Sequence, residues 1–229
     1  MQVVVKLGGS LFYNDAGEIL VDKFRSYADI IGGVSKEHKL VVIVGGGKPA
    51  RTFIAAAREL GASESDCDWL GIELARHNAE LLRTALGKKA YPRIAESLDE
   101  LALADCQNRI ILMGGLTPGQ STNAVAALAA ETVGADMMLN ATDVDGVYNK
   151  DPDESDAKKL DSVHIDELKK ILSGGAVRAG EYRLFDPVAL KVVERSKIKT
   201  IFFDGRNPKN LEAILAGKEI GTVVTHEEN

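Results

Sequence analysis

Val3-Val4-Val5-Lys6-Leu7-Gly8-Gly9-Ser10 opens the chain as an apolar run that breaks into paired glycines. The pattern recurs twice. Leu40-Val41-Val42-Ile43-Val44 runs into Gly45-Gly46-Gly47-Lys48, and Ile110-Ile111-Leu112-Met113 runs into Gly114-Gly115-Leu116-Thr117-Pro118-Gly119-Gln120-Ser121-Thr122. Glycine lets backbone approach a ligand closely. Successive N–H groups in such a turn, with a helix starting directly behind, form a site for an anion. One turn of this kind is commonplace, and a structural turn accounts for any of them singly. Three at strand ends point to a phosphate-rich ligand lying across the carboxyl edge of a parallel sheet.

Working outward, short β-branched runs alternate with helical patterns, which predicts an α/β fold with a mainly parallel sheet and helices on both faces. Residues 2–7, 39–44, 109–113, 136–140 and 199–203 are the strand candidates, continuous apolar runs suited to burial on both faces. Ala50, Phe53, Ile54, Ala57 and Leu60 form one helical stripe behind Pro49. Ile72, Ala75, Ala79, Leu82 and Leu86 form another, on a helix from about Asp68 to Leu86. The segment 122–133 is nearly all small and apolar, so its helix is expected to be buried. Asp186-Pro187 and Asn207-Pro208 mark two later helix starts. The polar stretch Asn149 to Lys159 reads as a loop at the sheet edge.

Composition excludes several classes. The 229 residues are 45% hydrophobic and 27% charged, ordinary for a globular protein. A net charge of −6 argues against a general nucleic-acid or membrane-surface binder. Cys67 and Cys106 have neither metal-ligand nor secreted-disulfide spacing. The first residues are too soon charged for a signal peptide, and no apolar stretch reaches membrane-span length. The expected compartment is the cytoplasm.

Gly45-Gly46-Gly47-Lys48-Pro49-Ala50 formally satisfies the G-x-G-x-x-A dinucleotide fingerprint. Against it, the acidic partner should end the next strand, whereas Glu64, Asp66 and Asp68 precede a helix, and the fingerprint leaves the other two turns unexplained. A P-loop is excluded, because Pro49 follows Lys48 where Ser or Thr is required. Lys6, at the end of its strand, is a compact charge suited to a transferring phosphoryl group, or else a lysine snorkelling from the sheet edge. Arg51 stands in the first turn after the triple glycine. Ser121-Thr122-Asn123 adds hydroxyls at a helix start, and Asn140 to Pro152 adds acceptors and carboxylates but only one cation, Lys150.

These motifs resemble the amino-acid kinase superfamily and, within it, the archaeal type of uridylate (UMP) kinase. The resemblance runs from Lys6-Leu7-Gly8-Gly9-Ser10 through Asp68-Trp69-Leu70-Gly71-Ile72 and Thr142-Asp143-Val144-Asp145-Gly146-Val147-Tyr148 to Phe185-Asp186-Pro187-Val188-Ala189-Leu190-Lys191. It implies one domain over residues 1–229, a three-layer αβα sandwich that moves the γ-phosphoryl group of ATP to UMP. It implies triphosphate contacts at Gly9, Ser10, Gly47 and Arg51, and an adenosine side at Thr142, Tyr148 and Asp151. UMP would meet Gly46, Asp68, Leu116, Thr117, Pro118, Gly119, Gln120, Ser121 and Thr122. Lys6 would stabilise the transferring group, with Asp143 and Lys191 as further catalytic candidates. Mg²⁺ would arrive on ATP, and the assembly would be a hexamer built from dimers, with the helix from Asp68 to Leu86 in the dimer contact. Position 143 is Asp where bacterial uridylate kinases commonly carry Asn, and Leu116 stands where a polar residue can occur.

An acceptor phosphate with a second pKa of about 6 is already largely dianionic and needs no general base. Accordingly His38, His77, His164 and His226, all outside the glycine motifs, receive no catalytic role. The rival readings are another small-molecule kinase on the same scaffold, with a phosphate or carboxylate acceptor, and a non-catalytic nucleotide-binding protein.

Overall fold

The computed structural model describes residues 1–150, 154, 156–173 and 185–226. Strands β1 (Gln2–Leu7), β2 (Lys39–Val44), β3 (Ala90–Ala95), β4 (Ile110–Met113) and β5 (Met137–Thr142) make most of the sheet. Strands β8 (Ser162–His164), β9 (Lys199–Asp204) and β10 (Thr222–Thr225) complete it, in the order β3-β4-β2-β1-β5-β9-β10-β8. Every neighbouring pair is parallel except β9 and β10. The five expected strands all form, at their expected places to within two residues.

Helices cover both faces. Val3, Val5, Leu7, Val42, Val44, Leu139 and Phe203 pack against α1 (Val21–Val34), α3 (Glu64–Leu86) and α8 (Lys209–Leu215). Val4, Val41, Ile43, Met138 and Phe202 pack against α4 (Leu98–Asp105), α5 (Thr122–Thr132), α6 (Ile165–Ser173) and α7 (Pro187–Ser196). This three-layer αβα sandwich is the expected architecture. The strands read as unbroken apolar runs because each side chain, up or down, meets a helix. In α5, Ala124, Ala126, Ala127, Ala129 and Ala130 are fully buried, so the helix lies close on the sheet.

Two local expectations are corrected. Helix α2 (Gly47–Glu59) does not bury its whole stripe: Ala50 and Ala57 are buried, but Phe53 is 55% and Leu60 88% exposed. The helix rests on α3, not on the sheet, with Ile54 lying against Gly71. Helix α3 starts at Glu64, four residues before Asp68, because Ser63 and Asp66 form a reciprocal capping box. A second, two-stranded sheet is formed by β6 (Val147–Tyr148) and β7 (Lys159–Leu160), which pair antiparallel. Among the described residues, no helix is long and apolar enough to cross a membrane. Cys67 is buried and Cys106 exposed, both as free thiols.

The chain leaves β1 on one side for β2 and returns to its other side only at β5. Loops at the carboxyl ends therefore part around β1, and such a switch point leaves a crevice at the strand ends.

Candidate functional site

The three glycine turns meet in that crevice. A Cβ on Gly9 would lie 2.1 Å from the Gly47 amide nitrogen and 2.5 Å from the Gly45 carbonyl oxygen. The Gly45 position in turn faces the Thr122 hydroxyl at 3.4 Å. Ladder-like hydrogen bonds fix the approach: Gly8 N–H to Ala141 O at 2.9 Å, Gly45 N–H to Leu7 O at 2.9 Å and Gly205 N–H to Thr142 O at 2.7 Å. Gly47, with φ of 69°, takes a left-handed conformation that favours glycine. Helices α2 and α5 both begin at this point, so their N-terminal amides add to a positive potential there.

Side chains that sequence reasoning passed over hold the turns in place. Asn78, 2% exposed on α3, donates to Gly45 O at 2.8 Å and Gly46 O at 3.2 Å, and accepts from the Tyr13 hydroxyl at 2.5 Å. Arg76, also on α3, donates to Gly115 O at 3.1 Å and pairs with Glu73 and Glu96, each at 2.9 Å. Both lie in a helix whose apolar stripe was legible, but the polar members of its inner face have no periodic signal. Arg206, just beyond β9, chelates Asp204 through Nε and Nη2 at 2.9 and 2.8 Å, which raises its own pKa and lowers that of Asp204. It stands electrostatically close to Asp143 and Asp145.

The acceptor-side candidates form one unit. Asp68 on α3 accepts from the Gly119 amide at 2.8 Å, which ties the third loop to that helix. Ser121 caps α5 by accepting from Asn123 N–H at 3.0 Å and Ala124 N–H at 3.2 Å. Its hydroxyl donates to Asp186, which caps α7 through Val188 N–H at 2.9 Å and Ala189 N–H at 3.1 Å. The starts of α5 and α7 are thus linked. Leu116 is 8% exposed and packs into the core, so it offers its backbone alone. Gln120 has a buried Oε1 without a hydrogen-bond partner among the described residues. Thr117 and Gly119 are exposed, while Pro118 and Thr122 are partly buried.

Lys6 is partly buried on β1, and burial pushes its amine down to about 8 against the opposing pull of the Asp143 carboxylate. Asp143 and Arg51 are exposed, and Ser10 and Gly46 are partly buried. Lys191 is exposed on α7, whose inner face is Ala189, Leu190, Val192 and Val193. Thr142 spends its hydroxyl on its own turn, donating to Val144 O at 2.8 Å. Tyr148 donates to Asp145 at 2.9 Å, which raises its phenol pKa. Asp151 lies outside the described residues. A cleft of about 930 Å³ runs along β9 from Asp204 to Lys199, away from the glycine turns.

A mainly parallel sheet with three glycine turns and a desolvated lysine at one edge defines a phosphate-handling α/β protein. The chain belongs to the amino acid kinase family, whose model matches residues 1–204. It is 46% identical to the uridylate kinase of Methanothermobacter thermautotrophicus over 99% of this chain and all of that one. Among solved structures it is similar to the uridylate kinase of Archaeoglobus fulgidus, with a TM-score of 0.87, 40% identity and coverage of 98% of this chain and all of that chain. The UMP kinase of Bacillus anthracis shares the fold, with a TM-score of 0.83 at 20% identity and coverage of 99% and 96%.

Proposed function

We propose that the chain transfers the γ-phosphoryl group of ATP to UMP, giving UDP. The observation that carries this reading is the meeting of the Gly9, Gly45–Gly47 and Thr122 segments within van der Waals reach at the end of the Lys6 strand. The relatives of like length that bear the name uridylate kinase support it.

In this reading the triphosphate lies on the amides of Gly9, Ser10 and Gly47, with Arg51 on its rim. The adenosine lies toward Thr142, Tyr148 and Asp151. UMP lies on Gly46 and the loop 116–122, with Asp68 accepting from its ribose hydroxyls. Two anions must meet head to head, so the chemistry is positioning plus positive electrostatics and needs no proton acceptor. Lys6 supplies the charge at the point of transfer. Asp143 steadies Lys6, and Lys191 adds a second charge as α7 passes the third loop. Mg²⁺ enters as part of the ATP substrate, held by the triphosphate oxygens.

A panel of UMP, CMP, dUMP, isopentenyl phosphate and acetylglutamate, each with ATP and Mg²⁺, tests the reading. Rapid formation of UDP with slower or no turnover of the last two is the expected result. A well-folded sample that makes no diphosphate product from any nucleotide overturns it.

Asp68→Asn raises KM for UMP and leaves KM for ATP close to normal. The substitution weakens both the ribose contact and the tie to Gly119, and each acts on the acceptor side alone. Steady-state kinetics with either substrate varied will check it; an unchanged KM for UMP removes Asp68 from the acceptor site.

The lowered Lys6 pKa sets a pH limit. The free enzyme keeps the ammonium below about 8 and loses it above, so kcat/KM for ATP falls on the alkaline side with a midpoint near pH 8. In Lys6→Arg, whose charge persists, this fall disappears at whatever rate remains. An alkaline limb of unchanged midpoint in that variant would assign the titration to another group.

The assembly in this reading is a hexamer built from three dimers, in the cytoplasm. An apolar groove of about 530 Å³ between α1 and α3, with Ile19, Val21 and Leu81 exposed at its edges, supports a role for α3 in the dimer contact. The free thiols support a reducing compartment. One sheet runs through both cores, which supports a single domain over residues 1–229.

A further inference from the structure

Lys6 and Asn140 are register partners on the adjacent parallel strands β1 and β5. Two residues earlier on each strand, Val4 and Met138 both pack toward α5, and the period of a strand sends Lys6 and Asn140 to the same face. Asn140 is 1% exposed, and its amide donates to the Asn123 Oδ1 of α5 at 3.2 Å. That bond fixes which way the amide points. Asn140 Oδ1 then faces away from Asn123, buried and without a hydrogen-bond partner among the described residues. At the paired position on β1, the Lys6 ammonium has three donors and no hydrogen bond or ion pair among the described residues. A buried acceptor without a donor and a desolvated donor without an acceptor are each costly alone, and they sit on paired positions of one face.

We propose that Asn140 is a positioning residue for Lys6: its Oδ1 accepts from the ammonium and holds it at the mouth of the glycine turns, while Asn123 holds the amide. This inference rests on the reading of Lys6 as the charge at the point of transfer. An amide suits the task because it orients the ammonium without neutralising it, whereas a carboxylate at 140 would take up the charge that the phosphoryl group needs. On the other side of Lys6, its register partner Ile43 of β2 is apolar, and Asp143 beyond β5 is the carboxylate that acts on it.

The test is the titration of Lys6 itself, followed in the nucleotide-free protein by the pH dependence of its acetylation and read by mass spectrometry. In Asn140→Leu the ammonium loses its acceptor, and the Lys6 midpoint falls by about one to two pH units. At pH 7 kcat drops about two- to tenfold, following the lost protonated fraction, with both KM values within about twofold. The deficit narrows as the pH falls toward 6, which loss of packing alone does not produce. In Asn140→Asp the midpoint rises by about one unit or more.

A Lys6 titration unchanged in Asn140→Leu overturns the proposal even if turnover suffers. Should that variant fail to fold, the Asp variant decides: an upward shift supports the placement and an unchanged midpoint rejects it. Because the titration is read without turnover, it separates this inference from the catalytic reading. A folded Lys6→Ala enzyme with normal rates removes the latter, whatever Asn140 does to the lysine.

Discussion

Lys6→Ala lowers kcat by about a hundredfold or more, the scale for losing one preorganised charge at a developing anion, while KM for ATP and UMP changes little. Most of the triphosphate and UMP contacts in the proposed arrangement come from backbone amides and survive the substitution. The charge matters most when the γ-phosphoryl group is between its two oxygens, so its loss falls on kcat. Near-normal turnover in a folded Lys6→Ala protein refutes the role. A companion measurement concerns stability. With its folded pKa near 8 and its ordinary value of 10.5, Lys6 binds its proton less readily in the folded chain than in the unfolded one. Between those values stability rises with pH, and below about 8 the full cost of burying the ammonium is present. Lys6→Met, which keeps the volume of the stem, is therefore more stable than the parent at pH 7 by on the order of 2 kcal/mol, and most of that gain is gone by pH 10. Thermal unfolding at the two pH values checks the sign.

Gly9→Ala is the second large effect. Its new methyl would meet three backbone atoms: Gly47 N at 2.1 Å, Gly45 O at 2.5 Å and Gly47 Cα at 2.6 Å. None can swing aside as a side-chain end could, so the first and second glycine turns must part by about an ångström. A displacement of that size at reacting groups costs about a hundredfold in rate. The forced fit costs about 1–3 kcal/mol in stability. The contrast is Gly33→Ala in α1, which meets nothing within 4 Å and has no positive φ, and which is neutral or slightly stabilising. Kinetics and unfolding of the pair measure both effects. Parent-like kinetics in Gly9→Ala mean that the two turns are not a single phosphate cradle.

Much of the molecule was legible in advance because burial leaves a mark on composition. Val3-Val4-Val5 and Leu40 to Val44 read as strands since both faces of a central strand must be apolar. The α5 segment read as buried since only small residues let a helix lie so close. Other parts left weaker marks. Strand β3, Ala90-Tyr91-Pro92-Arg93-Ile94-Ala95, is an edge strand interrupted by proline and arginine, and strands β8 and β10 are only three and four residues long. The start of α3 was written in Ser63 and Asp66, but a capping pair is short and easily outweighed by the stripe that follows it. Phe53 and Leu60 carry the helical period yet face outward, because periodicity says which residues share a face and not what covers that face.

The candidate site divides in the same way. The glycine turns, Lys6 and the Asp68 loop stand out in the chain because backbone that must approach an anion closely excludes side chains. Asn78, Arg76, Asn140 and Arg206 do not stand out, since a single polar residue in a helix, strand or turn looks the same whether it is solvated or holds another segment.

What the sequence by itself determined is the layered fold and the edge at which phosphate would bind, because hydrophobic period and glycine placement act over a few neighbouring residues. Only the tertiary structure decided that Gly9 closes on Gly47, that Asp68 holds Gly119, and that Asn140 stands beside Lys6. Each of these joins residues between 38 and 134 positions apart. Their contact follows from strand order and register, which arise only when the whole sheet has buried both faces.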